Sequence, residues 1–521
     1  MSNFLQKNWR AFFLLSFSFC FISIPTAQGF APHGQSKQII GVRQLQRELR
    51  HAFLTRSPGN FFWGVRIESL EKNQMIYSLN DHKNFIPASN QKILTVAAAF
   101  NFLDTNFRYS TEVYLSGNGN SNGNTQGIFD GDVIVKSNGN PCIASHWLEA
   151  RPTIFFQWLA DSLKRMGYAV IKGDFIGDDS AFLISDMGRD FRGGDGDYPG
   201  SWEWGDMLFA MASPASAISF NENMVRVTAY PGAKVGDKPI VETTVESAFL
   251  PITNQAVTGE ANSQKTIRIT RELGTNHVLI VGNIPIGRWR ESEPIAVEQP
   301  TLFFLTVMRE TFEKKGILHA GLLRRAEGVW PGSGDSLRLL YRYESPRLIR
   351  ILEYINKESN NFAAGQVLRT LGKSVVNEAS HEAGLQAIEI YLESLGITEV
   401  SYRLKDGSGL SRQNLISPEA LVKVLKHVYQ SKYFGAFLNT LSVAGVDGTL
   451  SRRLVGTNAE TRVFGKTGFL SSVRTFIGYV QAADGEWLGV SLMSMNYTQP
   501  TRQIESLQDE VLRLLANWRR K

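Results

Sequence analysis

Pro87-Ala88-Ser89-Asn90-Gln91-Lys92 opens an apolar run through Ile93, Leu94, Val96, Ala97, Ala98, Ala99 and Phe100. The pattern predicts the first turns of a buried helix with Ser89 and Lys92 on one face. Residues three apart on a helix are neighbours at about 5–6 Å between Cβ atoms, so the Lys92 amine can reach the Ser89 hydroxyl. A serine hydroxyl is a weak nucleophile until a neighbouring base takes its proton. A neutral lysine can be that base if burial and a second cation lower its pKa far below ~10.4. The helix start also aims unpaired N–H groups at an anion forming beside Ser89. Spacing alone is weak ground, because Ser69-Leu70-Glu71-Lys72 fits the same template where a strand end and turn are expected.

Around this stretch, 521 residues suffice for two or three domains with real cores. Lys7 and Arg10 precede an apolar run from Ala11 to Ile24, and Ala27-Gln28-Gly29 offers small residues for cleavage; residues 1–29 read as a secretory signal peptide. Its apolar core is shorter than the ~20 residues of a spanning helix, so membrane contact is expected only if this segment stays uncleaved. Without it the chain keeps Cys142 alone, which excludes an internal disulfide, and the net charge of +6 drops by two to +4. So mild an excess, with no basic stripe interleaved with aromatics, argues against nucleic-acid binding.

Residues 62–69 and 74–79 alternate apolar and polar about a Lys72-Asn73 turn, predicting a hairpin. From about 110 to 295 short strands dominate, with one helix at 153–166. After Pro300 helices are predicted at 301–314, 345–372, 379–395 and 418–431, then paired strands over 463–480 and 486–495 and a closing helix over 505–520. This order predicts a discontinuous catalytic domain, 30–109 and 297–521, with a strand-rich region, 110–296, inserted into it. Gly119-Asn120-Ser121-Asn122-Gly123 matches the Gly-x-Ser-x-Gly elbow but lies in a Gly, Asn and Ser loop that lacks the required strand-to-helix turn.

Two further stretches complete a set with Ser89-x-x-Lys92. Ser359-Asn360-Asn361 falls in the turn between a helical run ending at Lys357 and an apolar run beginning at Phe362. Lys466-Thr467-Gly468 lies in a strand-like segment. Penicillin-binding proteins and class A β-lactamases share this triple. Ser-x-Asn recurs by chance at Ser116, Ser219 and Ser494, so order and context decide. Metal and nucleotide chemistry have little support: His381-Glu382 is followed by Leu385 rather than a second histidine, and Glu460 stands where a phosphate loop needs glycine. No cofactor is expected.

A longer resemblance is more specific. Asp406-Gly407-Ser408-Gly409-Leu410-Ser411-Arg412 with Ser417-Pro418, and Val443-Ala444-Gly445-Val446-Asp447-Gly448-Thr449-Leu450, resemble signature blocks of the class C low-molecular-mass penicillin-binding proteins. These are the D-alanyl-D-alanine carboxypeptidases and endopeptidases of peptidase family S13. Trp202-Glu203-Trp204, Pro214-Ala215-Ser216-Ala217, Asn221-Glu222-Asn223, and Gly173-Asp174 with Asp178-Asp179-Ser180 are similar to the family's inserted region. The resemblance implies an α/β (α+β) catalytic domain of the penicillin-recognising, β-lactamase-like type, and a periplasmic enzyme acting on peptidoglycan peptides, with β-lactams as covalent inhibitors.

By that resemblance Ser89 attacks the carbonyl between two D-alanines and Lys92 takes its proton. Ser359 relays a proton to the leaving amine, Asn361 holds Lys92 or the substrate amide, and Lys466 adds a charge that keeps Lys92 neutral and draws in the substrate carboxylate. The oxyanion sits between the backbone N–H groups of Ser89 and Phe469, and Thr467, Gly468 and Arg412 help hold substrate. Two departures stand out. Phe469 replaces the family's usual Thr or Ser, and Gly205-Asp206 replaces two acidic residues, the first of which grips the amine of the substrate's diamino acid. A weaker preference for that amine is expected. The alternatives are a β-lactamase or esterase of the same chemistry, for which no Glu motif can be placed as deacylating base, and a catalytically weak peptidoglycan-binding protein.

Overall fold

The computed structural model describes residues 38–55, 59–117, 127–182, 196, 198–326 and 337–521. The expected signal peptide and the Gly119–Gly123 match lie outside the described residues. Among those described, no helix is long and apolar enough to cross a membrane.

The architecture is α/β. A six-stranded antiparallel sheet runs in the order Ser442–Val443, Val463–Leu470, Val473–Gln481, Trp487–Met495, Phe62–Ser69, Gln74–Leu79. It thus joins strands from both ends of the chain, and the hairpin has its expected bounds. Period-two alternation feeds two cores at once: Phe476 and Val480 enter one, Ile477 and Tyr479 the other. The first core is closed by helices Val42–Leu54 and Thr501–Asn517 through Leu45, Leu49, Val511 and Leu515. The second lies among helices Gln91–Phe102, Leu348–Lys357, Asn361–Val376, His381–Ser394 and Pro418–Gln430. Gln91–Phe102 is its axis, buried without a break from Gln91 to Phe100, which explains an apolar pattern with no polar face.

The helical region 345–372 is two helices, Leu348–Lys357 and Asn361–Val376, parted by the expected turn at Ser359, whose φ is 60°. The closing helix spans Thr501–Asn517 rather than 505–520, because Trp518–Arg519 pairs in parallel with Ile39–Ile40. Around the boundary expected at 296, packing continues from one side to the other. A separate core is built on a five-stranded mixed sheet in the order Leu323–Arg325, Phe175–Asp178, Asp132–Ser137, Ser110–Ser116, Leu337–Glu344. Helix Pro300–Lys314 enters that core with Phe303, Phe304, Val307 and Phe312, and Phe304 meets Phe155 and Phe156 of helix Ile154–Arg165. Segments expected in the second part of the catalytic domain, as far as Glu344, therefore pack with the inserted region. Burial could be read from their apolar pattern, but not which core they enter.

Candidate active site

The turn Ala88–Asn90 leads into helix Gln91–Phe102 and puts the Ser89 hydroxyl 3.1 Å from the Lys92 amine. The Lys92 Nζ also donates to Asn361 Oδ1 at 2.5 Å and to the Ser408 carbonyl at 2.6 Å. The residue is fully buried. Burial lowers its pKa from the ordinary 10.5 to about 7, against the pull of the Asp406 carboxylate, which acts to raise it. Such a change is worth about 5 kcal/mol in the protonation equilibrium. Burial is thus the leading cause, and the Lys92 and Lys466 amines, both buried, also disfavour each other's charge. A Lys92 amine that loses its proton near neutral pH can accept the one on Ser89.

Lys466 is equally buried and donates to Ser359 Oγ and to the Thr467 carbonyl, each at 2.8 Å. Burial, with the charges of Lys92 and Arg474, pushes it well below the usual lysine range. The pair thus tends to hold fewer than two protons at neutral pH. Thr467 Oγ1 lies 2.9 Å from Thr449 Oγ1, which ties the second signature block to this strand.

Close backbone packing fixes the turn that bears the nucleophile. A Cβ at Gly468 would stand 2.1 Å from Thr475 Oγ1 and 2.8 Å from the Pro87 carbonyl oxygen, to which the Thr475 hydroxyl donates at 2.8 Å. Gly409, at φ +85°, lies against Ala88, whose carbonyl oxygen would be 1.8 Å from an added Cβ. Ala88 itself has φ 47°. A non-glycine residue in the left-handed region persists where its surroundings over-determine it, commonly at functional sites.

The loop 406–412 is wound around one buried carboxylate. Asp406 accepts from the backbone N–H groups of Ser408 at 3.0 Å, Gly409 at 2.5 Å and Ser411 at 2.8 Å, and from Asn414 Nδ2 at 3.1 Å. The winding aims the Ser408 carbonyl at Lys92. Trp202 Nε1 donates to the same carboxylate at 2.6 Å, so the inserted region is fastened to the site. Asn361 Nδ2 donates to the Met211 carbonyl at 2.7 Å, which leaves its Oδ1 facing Lys92.

The mouth is looser. Phe469 is half-exposed, with the Arg474 guanidinium 5.9 Å from its ring centroid. Arg412 donates to the Ser471 carbonyl at 2.5 Å and pairs with Glu203 at 3.5 Å, bridging the inserted segment and the turn after the Lys-Thr-Gly strand. Tyr198, Trp202, Met207 and Ala212 cluster with Leu410, and Leu470 packs against them. The structure therefore places these residues in two hydrogen-bonded sets, Ser89 and Asn361 on Lys92 and Ser359 on Lys466, joined through the 359–361 turn, with Thr467, Gly468, Phe469 and Arg412 on or beside the strand that carries Lys466. The other Ser-x-x-Lys match is a strand end, where Ser69 Oγ accepts from the Lys72 N–H at 3.2 Å. Roles for Asp406, the Ser408 and Met211 carbonyls, Thr449 and Thr475 were missed by motif reading. Asp406, Ser408 and Thr449 lay in resembling blocks, whereas nothing local marked Met211 or Thr475.

Comparison with known proteins gives the family and the fold. Residues 47–517 match the D-Ala-D-Ala carboxypeptidase 3 (S13) family. A D-alanyl-D-alanine carboxypeptidase of Actinomadura sp. (strain R39) is 27% identical over 466 residues, covering 87% of this chain and 81% of that protein. The crystal structure of penicillin binding protein 4 (dacB) from Haemophilus influenzae shares the fold at a TM-score of 0.74 and 24% identity, covering 92% of this chain and 99% of that one. The same Haemophilus protein complexed with a β-lactam gives a TM-score of 0.70 at 22% identity, over 90% and 98% of the two chains. With a match that spans most of its length, the chain belongs to the D-Ala-D-Ala carboxypeptidase 3 (S13) family.

Proposed function

We propose that this carboxypeptidase works outside the cytoplasm, in the periplasm, on peptidoglycan stem peptides through an acyl-enzyme on Ser89. The observation that carries the reading is the Ser89 hydroxyl 3.1 Å from a fully buried Lys92 whose pKa falls to about 7. Lys92 takes the hydroxyl proton as Oγ bonds to the carbonyl carbon between two D-alanines. The C–N bond then breaks. The leaving amine gains a proton by way of Ser359, which accepts from Lys466, and D-alanine departs. The oxyanion is assigned to the backbone N–H groups of Ser89 and Phe469, and the substrate carboxylate to Thr467, Lys466 and Arg412. Water attacks the ester, and the peptide leaves with a new carboxylate.

The same acyl transfer serves a leaving amine that belongs to a cross-link, so endopeptidase cleavage of D-Ala–diamino-acid bonds is proposed as the second activity. A β-lactam presents a strained amide in place of the D-Ala-D-Ala bond and is held as an ester on Ser89. Its slow release is supported by Asp406, which is taken up by backbone N–H groups, and by Glu222, which is taken up by Tyr354 and Asn360. Neither is poised as a deacylating base, which disfavours the β-lactamase reading. The residue-level site argues against a mere binding protein.

The test is D-alanine release from a pentapeptide ending in D-Ala-D-Ala, with purified wild type beside Ser89→Ala. Release by the wild type alone is expected. Equal release by both would refute Ser89 as nucleophile, and release by neither would return the binding-protein reading.

A further inference from the structure

The loop carrying Glu222 is held in an unusual backbone state. Asn221, Glu222 and Asn223 have φ of 50°, 58° and 52°, three successive side-chain-bearing residues in a region that L-residues normally visit singly. Hydrogen bonds on both sides of Glu222 enforce it. The Asn221 N–H donates to the Ile143 carbonyl at 2.7 Å and its Nδ2 to the Met224 carbonyl at 2.8 Å. Asn223 Nδ2 donates to the Pro214 carbonyl at 2.9 Å and to Ser219 Oγ at 3.0 Å. The Glu222 carboxylate reaches across to the Ser-x-Asn turn instead. Its Oε1 accepts from the Tyr354 hydroxyl at 2.6 Å and its Oε2 from Asn360 Nδ2 at 2.7 Å.

This settles which way the Asn360 amide points. With Nδ2 turned to Glu222 and within 3.2 Å of the Tyr354 hydroxyl, Oδ1 accepts from the Ala363 N–H at 2.7 Å and caps helix Asn361–Val376. Asn360 lies between Ser359, at φ 60° with its hydroxyl on Lys466, and Asn361, whose Oδ1 meets Lys92. The Asn361 amide is oriented from the same side of the molecule by the Met211 carbonyl. Two acceptors from 211–222 thus orient both asparagine side chains of the turn.

We propose that Glu222 is a positioning residue for acylation: by accepting from Asn360 and Tyr354 it holds Ser359 and Asn361 in register with Lys466 and Lys92. The inserted region is then a working part of the site, in addition to anything it does elsewhere. This rests on the acyl-enzyme reading above. A carboxylate offers one at each end, whereas a glutamine of the same shape places an N–H against either Tyr354 or Asn360.

The experiment is acylation by benzylpenicillin, with maximal rate and half-saturating concentration measured separately. Glu222→Gln should lower the maximal rate by about tenfold or more, as a misplaced catalytic group does, with half-saturation within about twofold of wild type. Asn360→Asp faces two carboxylates against each other and should lose at least as much. The double variant restores a donor opposite an acceptor and should recover most of the rate, an outcome that loss of stability does not produce. Tyr354→Phe, which keeps the ring stacked on His146 at 4.4 Å, should lose a smaller factor and serves if the buried substitutions do not fold. A folded Glu222→Gln or Tyr354→Phe enzyme with the wild-type maximal rate would overturn the proposal, as would a double variant no faster than either single one. Wild type that forms no adduct would instead remove the acyl-enzyme reading, and this inference with it.

Discussion

At the floor of the cleft Lys92 has three acceptors within 3.1 Å and Lys466 two at 2.8 Å, and both lysines are fully buried. At its mouth Trp204, Met211 and Phe469 are 66%, 50% and 49% exposed, and a side chain added at Gly205 would meet nothing within 4 Å. Acid–base chemistry needs desolvated groups with fixed partners, so the floor is dense and tolerates little change. Recognition of a flexible peptide, as proposed, would use side chains that can yield, and the exposed Trp204 and Met211 lie in the segment expected to be inserted. Changes at the floor should appear in the acylation rate, and changes at the mouth in substrate preference.

The largest effect that would break this division is expected at Lys92. Lys92→Met keeps the volume and removes the base, and should slow acylation by about a thousandfold, as loss of a general base typically does. A stopped-flow trace within tenfold of wild type would show that the floor does not depend on this amine.

A pH series sharpens the same point. Only the free amine of Lys92 accepts the Ser89 proton, and the ammonium loses its proton at about 7. The acylation rate should therefore fall about tenfold per unit as pH drops below that value and level off above it. A rate that declines from pH 6 to pH 8 would reverse the sign and contradict Lys92 as base.

A smaller effect tests the link between the regions. Trp202→Phe removes the N–H that Asp406 accepts at 2.6 Å while leaving an aromatic ring in place. Loss of a hydrogen bond to a buried carboxylate should cost about 2 kcal/mol of stability and lower activity. Unchanged melting and turnover would mean that the mouth and the Asp406 loop are independent. The smallest effect belongs to the mouth alone. With no acid at Gly205, and Glu203 paired to Arg412, peptides with and without the side-chain amine of the diamino acid should differ by less than about threefold in kcat/KM. A strong preference for the amine would show that another residue grips it.

How much of this was legible in the chain follows the same division. The hairpin 62–69 and 74–79, the Ser89 helix and the Lys-Thr-Gly strand could be read because local periodicity and motif spacing specify them. The bond from Trp202 to Asp406 spans 204 positions, that from Asn361 to Met211 spans 150, and that from Asn360 to Glu222 spans 138. Nothing within a few residues of Met211 announces that its carbonyl will orient the Asn361 amide. The core that helix Pro300–Lys314 enters was illegible for a related reason: it is apolar enough to be buried anywhere, and only the fold decides that it joins the second core. Burial could be named as a cause of the Lys92 shift, but its completeness belongs to the packed site and not to the motif spacing.

The most direct measurement is the intact mass of the purified protein after incubation with benzylpenicillin, beside Ser89→Ala. A single-drug adduct on the wild type and none on the variant is predicted, with Lys92 beside the nucleophile supplying the base. An adduct that persists on Ser89→Ala, or a wild type left unmodified while the drug stays intact, would contradict an activated serine at position 89.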